Sequence, residues 1–114
     1  MAIDLPIMDP VRLSSTNSTD IYEAPSSPSS TKVVGLSFSF HHDGTSTDAV
    51  AIAVHHVSTN GTYGSDTQVD RVVVSQNKRE VSKLFGLGPG GKIICAADAA
   101  DQITVDMDSG VIFS

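Results

Sequence analysis

The 114-residue sequence has no tryptophan, one cysteine and few basic residues, with 7 lysines and arginines against 13 acidic residues. One cysteine cannot form an internal disulfide, and Cys95 lies in an apolar run where a small buried side chain is expected. The net charge of −6 opposes a phosphate backbone, which argues against a nucleic-acid partner. No window approaches the ~18 consecutive apolar residues of a membrane span, and the N-terminus lacks a signal-peptide pattern. We therefore expect a chain made in a cytoplasm, with no membrane partner.

The composition suits one folded domain. Hydrophobic residues make up 39% of the chain and charged residues 18%, which is too apolar for a disordered protein. A chain of this size buries roughly two-thirds of its unfolded surface, which is enough for a single core.

Apolar and polar residues alternate with a period of two in several short segments, as β-strands require. The clearest segments are 32–40, with apolar residues at every second position, and 50–54, where valine and isoleucine alternate with alanine. Residues 80–87 fit a helical turn almost as well as a strand, and both interpretations stay open. Further strands are predicted at 20–24, 69–75, 92–97, 102–107 and 111–113.

Seven to nine short strands without a convincing helix predict an all-β fold, a single β-sandwich or jelly-roll-like domain. We assign it to residues 19–114. Residues 1–18 contain Pro6, Pro10 and a polar run, and show neither helical nor sustained strand periodicity. They are predicted to form an extended N-terminal arm.

Two histidine pairs, His41–His42 and His55–His56, raise the possibility of a metal site, because four imidazoles would complete a tetrahedral shell. If the strands that carry them form a hairpin around residues 43–49, the pairs lie about 16 Å apart at ~3.3 Å per residue. Adjacent histidines on a strand also point to opposite faces. We expect no metal site within one subunit, and a symmetric oligomer is the remaining way to bring the pairs together.

A glycine-rich segment, 86–92, has the glycine and lysine spacing of a phosphate-binding loop. Ile93 stands where serine or threonine must coordinate magnesium, and the following residues are strand-like rather than helical. The segment is therefore predicted to be a β-turn.

Four aspartates near the C-terminus, Asp98, Asp101, Asp106 and Asp108, supply the oxygen ligands that calcium prefers. No glutamate follows at the offset that a calcium loop requires, and residues 108–110 are predicted to form a hairpin turn instead. The sequence also lacks a nucleophile elbow and any cleft-forming segment for paired carboxylates. We expect no catalytic residue and no cofactor.

The sequence of the C-terminal third resembles that of a known class of proteins. A glycine turn is followed by Lys-Ile-Ile-Cys-Ala-Ala-Asp-Ala-Ala-Asp-Gln-Ile-Thr-Val at 92–105 and by Ser-Gly-Val at 109–111. This stretch resembles the closing strands of small virion structural proteins of tailed bacteriophages, in which similar strands precede it, here 20–25 and 33–38. The histidine pairs depart from that pattern.

The resemblance implies an accessory capsid protein of the cement or decoration kind, located in the virion, whose partner is the major capsid protein. Because an arm that orders on contact can cover more surface than a compact domain, we expect the arm to bind that partner. The predicted contact residues are its apolar side chains: Ile3, Leu5, Ile7, Met8, Val11 and Leu13.

Open sheet edges must be covered or blunted, so we also predict a symmetric homo-oligomer, a trimer before a dimer. The alternative class is a calcium- or carbohydrate-binding β-sandwich module, as in a fibre or adhesin component. A metalloenzyme built from the histidine pairs ranks last.

Overall fold

The computed structural model describes residues 3–6 and 8–114, with the backbone alone for 83–85. Over these residues the chain is built from strands, joined by turns and by one 3-10 helix at Ser65–Thr67. The strands in chain order are β1 Ile3–Asp4, β2 Val11–Leu13, β3 Thr19–Glu23, β4 Lys32–His42, β5 Val50–Val57, β6 Gln68–Val74, β7 Arg79–Leu87, β8 Lys92–Ala97 and β9 Ile103–Phe113.

The strands form two antiparallel sheets. In the first sheet β9 lies between β4 and the two arm strands, β1 and β2, while β7 takes the opposite edge. The second sheet has the order β3-β8-β5-β6. Three pairs are nested around the β5–β6 hairpin: β4 pairs with β7, β3 with β8 and β2 with β9. A long antiparallel hairpin rolled over itself in this way is a jelly roll, so the predicted fold class is confirmed.

The core lies between the two sheets and follows from the alternation in the sequence. Leu36, Phe38 and Phe40 of β4 have no exposed surface, and they belong to the same apolar cluster as Ile52 and Val54 of β5. Fully burying a side chain of this size contributes roughly 1.5–3 kcal/mol. The residues between these three point to the outer face of the sheet, because successive side chains of a strand lie on opposite faces.

The hairpin assumed between the two histidine-bearing strands, in order to estimate their separation, does not form. β4 and β5 belong to different sheets, and residues 43–49 cross from one sheet to the other. Strands that follow one another in sequence often pair, but here β4 finds its partners in β7 and β9.

The predicted turn at 108–110 is also wrong, because β9 runs unbroken from Ile103 to Phe113. Residues 108–110 instead lie beside a β-bulge, where the β4–β9 register shifts between Val34 and Phe38. Residues 80–87, for which strand and helical turn both stay open in the sequence, belong to the strand β7, Arg79–Leu87.

The arm is not detached from the domain. β1 pairs with Ile112 and Phe113, and β2 pairs with residues 103–105, so the arm runs along the edge of β9. Leu13 at the end of β2 is 1% exposed and belongs to the core. Residues 14–18 then lead to β3 in the second sheet.

Candidate functional site

The structure separates the predicted arm residues into two groups. Leu13 lies in the core, and Met8 and Val11 are half-buried against it. Leu13 is therefore not available to a partner, contrary to the sequence prediction, because β2 must cover the edge of β9. Ile3 and Leu5, by contrast, are 69% and 68% exposed. Ile7 lies outside the described residues.

The exposed arm residues share one face with apolar residues of the first sheet. Ile3 lies opposite Phe113 in the β1–β9 register, and Val111 lies opposite Val34 in the β4–β9 register. Directly opposed side chains are about 5 Å apart. Val34 is 41% exposed, which is unusual for a valine in a strand between two others. We call Ile3, Leu5, Val34, Val111 and Phe113 the arm patch.

A groove of about 640 Å³ lies between the arm and the sheet. Its walls come from the arm and from the bulged part of β4 and β9. The lining residues are Leu5, Pro6, Met8, Val34, Gly35, Met107, Asp108, Ser109, Gly110 and Val111. The groove is mainly apolar, with Asp108 and Ser109 as its polar members.

Two glycines make this groove possible. Gly35 has φ +64°, a conformation that side chains disfavour, and it allows β4 to bulge. A Cβ on Gly110 would lie 2.8 Å from Leu36 Cδ2 and 3.0 Å from Pro6 Cγ, so only glycine lets the arm approach β9 here. The two glycines therefore shape both sides of the groove.

Arg12 anchors the other end of the arm. Its guanidinium contacts the carboxylates of Asp43 and Asp101, and Nη2 donates to the Asp101 carbonyl at 2.8 Å. Hydrogen bonding to Asp101 raises the pKa of Arg12. Partial desolvation acts to raise the pKa of Asp43, but hydrogen bonds from Arg12 and Thr104 outweigh it, and the pKa lies below its ordinary value.

The histidine pairs do not form one site. His42 is fully buried at the end of β4, and its Nε2 lies 3.0 Å from the Asp48 carbonyl. His55 is buried on β5, where its Nδ1 lies 2.9 Å from Thr67 Oγ1. Each of the two thus ties down the loop that follows its strand. Within the described chain, no group of three or more His, Cys, Asp or Glu side chains is placed to hold a metal.

The other segments singled out in the sequence have structural partners. The Gly88–Gly91 turn is closed by a hydrogen bond from the Gly91 amide to the Gly88 carbonyl at 3.0 Å, as predicted for a β-turn. Asp98 Oδ1 accepts from the Ala51 amide, and Asp108 pairs with Arg79. Burial raises the pKa of the Cys95 thiol, which keeps the thiol protonated and unreactive.

Sequence reasoning missed Val34, Val111 and Phe113, because each sits in a strand whose neighbours point into the core. Only the register reveals that these three side chains share the outer face with the arm. One signal in the sequence could have indicated Val34: the alternation of apolar and polar residues breaks at the pair Val33–Val34, so one of the two valines must point to the outer face.

No helix in the described part of the chain combines the length and hydropathy needed to cross a membrane. Comparison with protein-family models, with curated proteins and with solved structures finds no match to this chain. The arm patch and its groove are therefore interpreted from their own chemistry.

Proposed function

We propose that this chain is a non-enzymatic virion structural protein of tailed bacteriophages, a capsid cement or decoration protein. It binds the shell of the major capsid protein through the arm patch and stabilises that shell. The observation that carries the proposal is the exposure of Ile3, Leu5 and Val34 on one face, beside an apolar groove. Contiguous exposed apolar surface rimmed by polar residues is typical of a protein interaction site.

The affinity that one arm patch can provide is modest, which suits a protein that binds its partner in many copies. Burying a large apolar side chain contributes roughly 1.5–3 kcal/mol, so Ile3 and Leu5 alone give a modest affinity per chain. The net charge of −6 keeps the free protein soluble. A symmetric homo-oligomer that presents several patches at once would multiply this affinity without new contacts.

Shell binding can be measured directly with recombinant protein and empty capsids. Mixed samples examined by electron cryomicroscopy should show density for a jelly-roll domain at symmetric sites on the shell, with the arm patch facing the capsid protein. Bare shells, with all of the protein left in solution, would contradict the proposal.

A pair of matched variants tests the role of the patch. Ile3→Thr/Leu5→Thr should lower shell occupancy at least about tenfold, because each substitution removes apolar surface from the contact. Val69→Thr/Val73→Thr is the control, since these valines of β6 are 49% and 46% exposed on the other sheet. Equal binding by both double variants would show that the patch is not the contact surface.

A further inference from the structure

A loop covers part of the outer face of the second sheet. His55 of β5 and Ile94 of β8 are directly opposed in the register, and both are buried although neither belongs to the core. The cover is provided by residues 58–67. Within it, the ring of Tyr63 lies 4.4 Å from the ring of His55, centroid to centroid, and Tyr63 is still 40% exposed.

Hydrogen bonds hold this loop in one conformation. Thr67 Oγ1 lies 2.9 Å from His55 Nδ1 and donates to the Gly64 carbonyl at 2.7 Å. The Gly61 amide donates to the Ser58 carbonyl at 2.8 Å. At the other side, the hydroxyl of Thr59 bonds the carbonyl of Pro89 in the β7–β8 turn. These bonds constrain the backbone on both sides of Tyr63, and such preorganisation lowers the entropic cost of binding.

Beside Tyr63 lies a depression of about 350 Å³. Val57 and Ile94 supply apolar surface, and the remaining residues are polar or small. The described residues that line it are Glu23, Ser26, Val57, Ser58, Thr59, Asn60, Gly61, Tyr63, Gly90, Lys92 and Ile94. The site thus combines one fixed aromatic ring with hydroxyl, amide and carboxylate groups.

We propose that this depression binds a neutral saccharide unit. A pyranose ring has an apolar C–H face that can pack on the Tyr63 ring, and hydroxyl groups that need both donors and acceptors around them. The Glu23 carboxylate can accept hydrogen bonds from sugar hydroxyls, and the Asn60 side-chain amide can both donate and accept them. An anionic ligand fits less well, because Lys92, the one cation among the described lining residues, pairs with Asp20 at 3.2 Å and Glu23 lines the same space.

The site lies on the second sheet, whereas the arm patch lies on the first. A chain docked through the arm patch would keep the Tyr63 depression open to solvent. The saccharide proposal does not rest on the shell-binding proposal, and the two are tested by separate experiments.

Amide and side-chain NMR of the free protein tests the proposal, with glucose, galactose, mannose and N-acetylglucosamine as probes. At least one sugar should shift the signals of Asn60, Tyr63 and Ile94, with a dissociation constant of about 1–10 mM. If none of the four shifts these signals at about 50 mM, the proposal is overturned.

Three variants check that binding occurs in this depression. Tyr63→Ala should weaken binding about tenfold, whereas Tyr63→Phe, which keeps the ring, should retain it. Asn60→Gly removes the amide without strain, since Asn60 has φ 63°, and should also weaken binding. Unchanged affinity in Tyr63→Ala and Asn60→Gly would overturn the assignment, and Asn60→Gly keeps the test valid if the loop needs Tyr63 to fold.

Discussion

His42 illustrates how a residue that invites a functional interpretation can serve the fold. Its ring is fully buried, Nε2 bonds the Asp48 carbonyl, and its backbone pairs with residues 77 and 78 of the β6–β7 turn. Nδ1 is buried and has no hydrogen-bond partner among the residues that the structure describes. The ring thus links the end of β4 to the crossover 43–49.

Replacing His42 should therefore destabilise the protein more than replacing its neighbour. We expect His42→Ala to lower the free energy of unfolding by about 2–4 kcal/mol, through a cavity and a lost hydrogen bond. His41→Ala, at an exposed position on the same strand, should change it by less than about 0.5 kcal/mol. Urea denaturation of both variants gives the comparison, and similar losses would mean that the buried ring is not a structural link.

At the scale of elements, the arm has two parts with different roles. The first part, around β1, is held by two residue pairs and exposes Ile3 and Leu5. The second part, β2, is held by three pairs, by the Arg12 ion pairs and by the burial of Leu13. In the shell-binding proposal, the first part of the arm provides affinity for the partner. The second part stabilises the domain.

Two truncations separate these roles. Deleting residues 2–6 should leave the free energy of unfolding within about 0.5 kcal/mol of the parent while abolishing shell binding. Deleting residues 2–13 should cost at least about 2–5 kcal/mol, because it removes Leu13 and uncovers the edge of β9. Chemical denaturation and capsid co-sedimentation report the two effects. Full occupancy by the shorter truncation would show that the exposed end of the arm is irrelevant.

The elements show where sequence reasoning succeeds and where it fails. The alternation from Leu36 to Phe40 and in β5 and the glycine turn before β8 are local signals, and the structure agrees with them. Val34, which continues the β4 alternation in the sequence, is instead exposed, because the bulge shifts the register. The arm strands are only two and three residues long, too short to show a period, and they exist because β9 offers an unpaired edge. Ser109 and Gly110 suggested a turn, but the same small residues serve a bulge beneath Pro6. Strand pairing and register depend on residues far apart in sequence, which no local pattern encodes.

At the scale of the whole molecule, the open edges of the two sheets bear on whether the chain associates with other copies. β7 ends the first sheet, and β3 and β6 end the second. Ser82 of β7 donates to Asp70 of β6 at 2.6 Å, so one pair of edges is closed by a polar contact between the sheets. β3 remains an open edge of the second sheet. An open edge strand is a ready site for pairing with another chain.

We expect the free protein to form a homo-oligomer, a trimer before a dimer. Light scattering after size-exclusion chromatography at micromolar concentration measures this directly. A mass near three times 11.9 kDa is the expected result. A mass of one chain at every concentration would contradict it, and shell binding would then depend on single arm patches.

The position of β9 has a consequence for how the protein is made. β9 lies in the interior of the first sheet, between β4 and the arm, yet the ribosome synthesises it after the other eight strands described above. Until it emerges, β4 lacks one neighbour and the arm has nothing to pair with. Closure of the first sheet, and with it formation of the arm patch, therefore waits until β9 has been synthesised, so a nascent chain without β9 lacks the arm patch.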